Sequence, residues 1–445
     1  MTRSIRRISL VLTVMLLALA LFTGYWQVLR GAALTERDDN PRRVLAEQQI
    51  PRGEILDRHG EALAFNQGTT AEGDAATRRS YVRAYADRTV EPVVGYYSLR
   101  YGVSGAEATF DNELRGIAGQ TQLDVVVNKL LHRTPPGQSI RLTVDLAVQR
   151  AADAALGDQP GAAVVLSVPE GEVIALVSHP SFDPNKLDED WDKLRADPAS
   201  PLLNRATQGL YQPGAAFQTV VLAEALSAGL VQMTQTVSSI SSSVALDGGA
   251  LSCATLPAGK TLDTAFAAAC PAPFAALADK MSAEQVAQIV HRWSLDAAPN
   301  PFELPTHATV FSSDSLTSPV SVRNMVLGQG ALTVSPLQMA TLVATIANDG
   351  RPIVAPHLAA APAPAAPAPA VVPPQIASAV RSALPVHGDL GGQVALAFSG
   401  KNQIAWFTGF APTQSPRWVI VVLVENGDAA TVSTIAAQIR SQLGS

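Results

Sequence analysis

The chain opens with its longest apolar run. After "MTRSIRR", with Arg3, Arg6 and Arg7, residues 8–29 read "ISLVLTVMLLALALFTGYWQVL" without a charge. At a helical rise of about 1.5 Å per residue, such a run spans roughly 30 Å of hydrocarbon. Polar, Arg-rich sequence follows over 31–60, ending in "PRGEILDRHGEALA". There, apolar pairs flank an Asp-Arg-His-Gly turn, which predicts a hairpin with Gly60 at the tight position. Residues 66–135 alternate short aromatic segments with turns, the pattern of a small mixed domain. "SIRLTVDLAVQRAADAAL" predicts a strand ending near Val144 and a helix capped by Asp145. "GAAVVLSVPEGEVIALVSHP" predicts a hairpin of two β-rich runs about a Pro169-Glu170-Gly171 turn. Helical periodicity dominates 205–350. A Pro/Ala stretch then rules out helix or sheet, and two strands and a helix from about Ala430 close the chain. Strands at both ends of this region with helices between predict an α+β layering around one antiparallel sheet.

The composition is that of a globular protein, with 47% apolar and 16% charged residues. A net charge of −6 without a basic patch sets nucleic-acid binding aside. The arginines ahead of the apolar run place the N-terminus in the cytoplasm and the bulk of the chain outside the cell membrane. A cleaved signal peptide is the alternative, since "ALA" at 18–20 has the small-x-small form, but the run continues apolar beyond it and favours a single-pass anchor. Cys253 and Cys270 then lie in an oxidising compartment, where a disulfide and two separate buried thiols both fit.

In the order given, "RGEILDRHGEALA", "YYSLRYGVSGAEATFDNELRG", "LTVDLAVQRAADAAL", "GAAVVLSVPEGEVIALVSHPSFDPN", "LLNRATQGLYQPGAAF", "GQGALTVSPLQMATLVATIANDG" and "AWFTGFAP" resemble the class B penicillin-binding proteins, anchored enzymes that cross-link peptidoglycan stem peptides. The resemblance implies a cytoplasmic tip and transmembrane anchor over 1–30 and a stalk domain over 31–139. A transpeptidase domain of the penicillin-binding/β-lactamase type follows over 140–445, an antiparallel sheet with a helical subdomain. It implies no cofactor and no metal.

The family's chemistry rests on Ser-x-x-Lys, Ser-x-Asn and Lys-Thr-Gly elements. Serine attacks the penultimate D-Ala carbonyl and a lysine one helical turn later draws off its proton, positions that share one helix face about 5–6 Å apart. The resemblance implies that all three elements are degenerate here. In "YQPGAAFQ" the serine position falls on Ala215 and the lysine on Gln218; neither a methyl nor a neutral amide supplies that chemistry. In "AFAAACPAPFAALA" the second element falls on Ala269, Cys270 and Pro271. In "VALAFSGKNQIAWFTGFAP" the third element's lysine corresponds to Lys401, without Thr-Gly after it. None of Lys129, Lys186, Lys193, Lys260, Lys280 and Lys401 has a serine three residues earlier, and Gly-x-Ser-x-Gly, His-Glu-x-x-His and glycine-rich phosphate loops are absent from the sequence.

These substitutions lead to the expectation of a protein that is not an enzyme: a transpeptidase homologue that scaffolds or regulates peptidoglycan synthesis and cell division. Its expected partners are polytopic peptidoglycan glycosyltransferases or the membrane proteins of division and elongation. The alternative is a non-covalent sensor of stem peptide or β-lactam, with Lys401 as the ligand for the carboxylate.

Overall fold

A computed structural model of the chain describes residues 2–26, 48–70, 79–121, 123–124, 127–128, 131, 135–246, 249–299, 302–359 and 368–444. Helix α1 (Thr2–Gly24) carries the apolar run, and its Arg6–Gly24 portion is long and apolar enough to cross a membrane. The expected polar segment at 31–47 lies outside the described residues.

The stalk is built on a four-stranded sheet. Strand β1 (Ile55–Leu56) pairs antiparallel with β2 (Ala62–Thr70), which pairs with β3 (Arg79–Tyr85). The turn between β1 and β2 is the expected one: Gly60 has φ +92°, and Asp57 Oδ1 accepts from the amides of His59 and Glu61 at 2.8 Å. On its other edge β1 pairs in parallel with β4 (Ile140–Arg141). Ile140 and Arg141, just past the expected boundary at 139/140, complete the stalk sheet. A buried charge cluster fastens the interior. Glu107 is fully buried and accepts from Arg52 at 2.9 Å and from Arg83, while Arg52 also reaches Asp111 at 2.7 Å and lies over the Tyr97 ring. Each charge taken from water is compensated there by a partner.

The β1–β2 turn also docks the stalk on the larger domain. Arg58 pairs with Glu172 at 3.2 Å, His59 with Asp145 at 3.0 Å, and the Arg58 amide donates to the Val144 carbonyl. Asp145 caps helix α2 (Leu146–Leu156), its side chain accepting from the amides of Ala147 and Val148.

The larger domain is a six-stranded antiparallel sheet. Its strands are β5 (Gly161–Ser167), β6 (Val173–His179), β7 (Val386–His387), β8 (Leu390–Ser399), β9 (Asn402–Ala411) and β10 (Trp418–Glu425), in the spatial order β7-β8-β9-β10-β5-β6. The expected hairpin is β5–β6, and both strands are buried along their whole length. They need apolar residues on both faces because helices cover both. On one side α2 packs with α8 (Ala429–Gln442); on the other lie α3 (Gln218–Ser227) and α7 (Pro336–Ala347) with the rest of the helical subdomain. That subdomain includes α4 (Leu262–Ala267), α5 (Pro271–Ala278) and α6 (Ala283–Arg292), and also a short hairpin of Val244–Leu246 with Gly249–Leu251 that the periodicity does not announce. Within the Pro/Ala stretch, residues 360–367 lie outside the described residues; its end begins a helix, Pro374–Ser382, with proline at the first turn, where a missing amide proton costs nothing.

Candidate functional site

Tyr211 starts the site. Its backbone exchanges hydrogen bonds with Val334 at 3.0 and 2.8 Å, and its phenol donates to Glu425 Oε1 at 2.8 Å, beside Arg205 Nε at 2.9 Å. Burial, then the adjacent Glu425 charge, pushes the phenol's pKa up, so Tyr211 stays a donor. This ties the approach to the helix to the end of β10.

Gly214 follows with φ +53°, and a Cβ there would stand 2.2 Å from the Leu396 carbonyl of β8. The amide of Gly214 donates to the Gly328 carbonyl at 2.8 Å, and a Cβ on Gly328 would meet Gly214 O at 2.3 Å. Two glycine backbones thus lie in direct contact and press the turn onto β8, which only residues without side chains allow. Gly328 and Gly330, on either side of Gln329, both have positive φ.

Ala215 sits in a 3₁₀ turn, Gly214–Phe217, and Gln218 is the first residue of α3. In a 3₁₀ turn residues i and i+3 eclipse, so the two side chains share one face. Ala215 is 4% exposed and Gln218 fully buried. Gln218 Nε2 donates to the Cys270 carbonyl at 3.2 Å, and its Oε1 is buried without a partner. Cys270 ends the turn after α4: Ala269 is buried with φ +53°, Pro271 begins α5, and Cys270 forms a disulfide with Cys253.

Strand β8 carries a second buried amide that sequence reasoning missed. Gln393 is fully buried, its Nε2 donates to the carbonyl of Phe266, and its Oε1 also lacks a partner. The signal is an uncharged polar residue after Gly391-Gly392 in a strand that is otherwise apolar up to its last residue, Ser399. Lys401, the carboxylate ligand of the alternative reading, stands in the exposed turn between β8 and β9. It lies beyond the last paired residues, Ser399 and Asn402, and past the Leu396–Ala397 stretch that Gly214 abuts. The structure therefore brings Ala215, Gln218, Ala269, Cys270 and Pro271 together with Gln393, and leaves Lys401 out. Two amides reach the same 266–270 turn, one from the helix and one from the strand. Among the described residues no group of His, Cys, Asp and Glu is placed to hold a metal.

The chain matches the penicillin binding protein transpeptidase domain over residues 161–443 and the penicillin binding protein A dimerisation domain over 52–140. It is 30% identical to the peptidoglycan D,D-transpeptidase PbpA of Mycolicibacterium smegmatis, with 99% of this chain and 97% of that protein aligned, and 29% identical to PbpA of Mycobacterium tuberculosis over the same shares. The solved structure of M. tuberculosis penicillin-binding protein A in an imipenem acyl-enzyme complex superposes with a TM-score of 0.78 at 27% identity, covering 89% of this chain and 99% of that one. These relatives correct the expectation that the chain is not an enzyme. Proteins aligned over nearly all of it are D,D-transpeptidases by name, and the residues at 215 and 218 describe two positions without measuring turnover. The chain belongs to the penicillin-binding protein transpeptidase family.

Proposed function

We propose that this chain acts in peptidoglycan synthesis at the outer face of the cell membrane, as a single-pass protein that scaffolds or regulates the synthetic assembly. The observation that carries the reading is the stalk. Its sheet, its buried charge cluster around Glu107 and its docking turn at Asp57–Gly60 are intact, between an apolar N-terminal helix and a complete transpeptidase fold. A folded stalk sheet docked by its turn on the larger domain offers an interaction surface with little ordering entropy to lose on binding. The partner class is a polytopic peptidoglycan glycosyltransferase or another membrane protein of division or elongation, met by the anchor and stalk with the N-terminus in the cytoplasm.

The alternative, non-covalent recognition of stem peptide or β-lactam, draws on Lys401 as carboxylate ligand. With Lys401 in an exposed turn and Gln393 in the strand, the geometry favours the scaffold reading.

The test is co-expression of the tagged full chain with a peptidoglycan glycosyltransferase from the same cell. Stoichiometric co-purification, lost when the anchor and stalk are exchanged for those of an unrelated single-pass protein, is the expected result. Absence of the polymerase from the purified material would overturn the reading. Labelling with a fluorescent penicillin, read on a denaturing gel, measures acyl transfer separately.

A further inference from the structure

A cavity of about 400 Å³ opens between the end of α6, helix α7 and the loop at Pro352–Pro356. Its lining shares no residue with the Ala215 site. Gln338 of α7 lines it and is 2% exposed. Its Nε2 donates to the carbonyls of Ser294, Leu295 and Ala297 at 3.1, 3.0 and 3.1 Å, while its Oε1 is buried with no partner. Thr341 and Thr345 follow Gln338 at helical spacing. Their hydroxyl protons are committed to the carbonyls of Gln338 at 2.7 Å and Thr341 at 2.9 Å, so towards the cavity both can only accept. The interior therefore offers acceptors.

The mouth offers the opposite. Arg292 is half-exposed, and its Nη1 is held by Glu224 at 2.7 Å, with the same carboxylate accepting from Trp293 Nε1 at 2.8 Å. Trp293 is buried. Glu224 thus fixes the guanidinium in place, and Arg292 Nε and Nη2 carry no hydrogen bond among the described residues. A fixed guanidinium edge recognises a carboxylate in a two-pronged geometry. Leu342 and Ile353 supply apolar wall between the two ends.

We propose that this cavity is a second ligand site, for the carboxyl end of a short peptide. Its terminal carboxylate lies on Arg292, its backbone N–H groups donate to the hydroxyls of Thr341 and Thr345, and small side chains lie against the apolar wall. A neutral saccharide leaves the guanidinium unused, and a cation is repelled by it. The volume is in the range of small-molecule sites and suits two or three residues.

The experiment titrates the full chain, purified in detergent, with N-acetyl-alanyl-alanine and with its C-terminal amide by calorimetry. The acid is expected to bind saturably and about tenfold or more tightly than the amide. Arg292→Gln is expected to remove that preference; Thr341→Val, which keeps the shape, is expected to weaken both ligands. Thermal melts show that both variants remain folded. No saturable binding of the acid, equal affinity for acid and amide, or binding unmoved by both substitutions would overturn the proposal, as would binding lost only on substitution of Gln393.

Discussion

The side-chain amide of Gln218 donates a 3.2 Å hydrogen bond to the carbonyl of Cys270, joining the start of α3 to a turn 52 positions later. Gln393 makes the matching contact from β8 to Phe266, four residues before Cys270. Helix, strand and disulfide-bearing turn are thereby connected through two neutral amides, each with a carbonyl oxygen that lacks a partner. Where a family site would place a charged amine, this chain places a group that is cheaper to bury but still half-satisfied.

Substitution at Gln218 separates packing from hydrogen bonding. Gln218→Ala empties a fully buried volume and leaves the Cys270 carbonyl unmet, and is expected to cost about 2–4 kcal/mol. Gln218→Met fills most of that volume and removes the orphan Oε1, so its cost is expected to stay below about 1.5 kcal/mol. Denaturant unfolding of the two variants measures the difference, and equal costs would contradict it.

The disulfide closes a loop across a separation of 17 residues, and cross-links of that length stabilise by about 3 kcal/mol through the unfolded chain. The double variant Cys253→Ala, Cys270→Ala is expected to melt at a lower temperature than the oxidised protein and to be insensitive to reductant. A wild-type melting temperature that reductant leaves unchanged after full thiol exposure would argue against this.

Glu107 stands between two arginine side chains that are themselves buried. Glu107→Gln keeps the shape but removes the charge both depend on, so the loss is expected near 3–5 kcal/mol, the scale of a broken buried ion pair. Limited proteolysis within 52–140, with melts of the intact chain, reads the effect.

Glu91 gives the stalk junction a pH dependence. Burial pushes its carboxyl up to about 8 from an ordinary 4.5, opposed only in part by a hydrogen bond from Ser181 at 3.1 Å. A raised folded-state value means that the protonated form is the one the fold prefers. Its stabilisation is therefore fully present below about pH 4.5 and is lost as pH rises through about 8. Glu91→Gln, always neutral, is expected to flatten the fall in melting temperature across that window; an unchanged slope would rule Glu91 out as its source.

How much of this was legible beforehand differs by element. The hairpin at 161–179, the cap at Asp145 and the turn at Gly60 follow from alternation, a capping side chain and a tight glycine. Each is a property of a few adjacent residues. Ala215 lies inside one of the seven resembling segments, while Gln218, Ala269 and Pro271 were read from the spacing of the family's first two elements. The sequence left Lys401 open as a carboxylate ligand of the alternative reading, because a lone lysine beside a glycine is equally at home in a strand or at a hairpin tip; the β8–β9 register sets it in the tip.

The sequence by itself determined the apolar helix, the α+β order of elements and the identities of the side chains at the family's reactive positions. Periodicity, caps and turn residues act over one or two turns of chain. The tertiary structure alone decided the parallel pairing of Ile55 with Ile140, the union of Cys253 with Cys270, and the burial of Trp293 beside Glu224. It also decided the convergence of Gln218 and Gln393 on one turn. These relations join residues far apart in the chain, and their geometry is set by how whole layers pack. A side chain's local neighbours state its chemistry, but only the packed layers state what it faces.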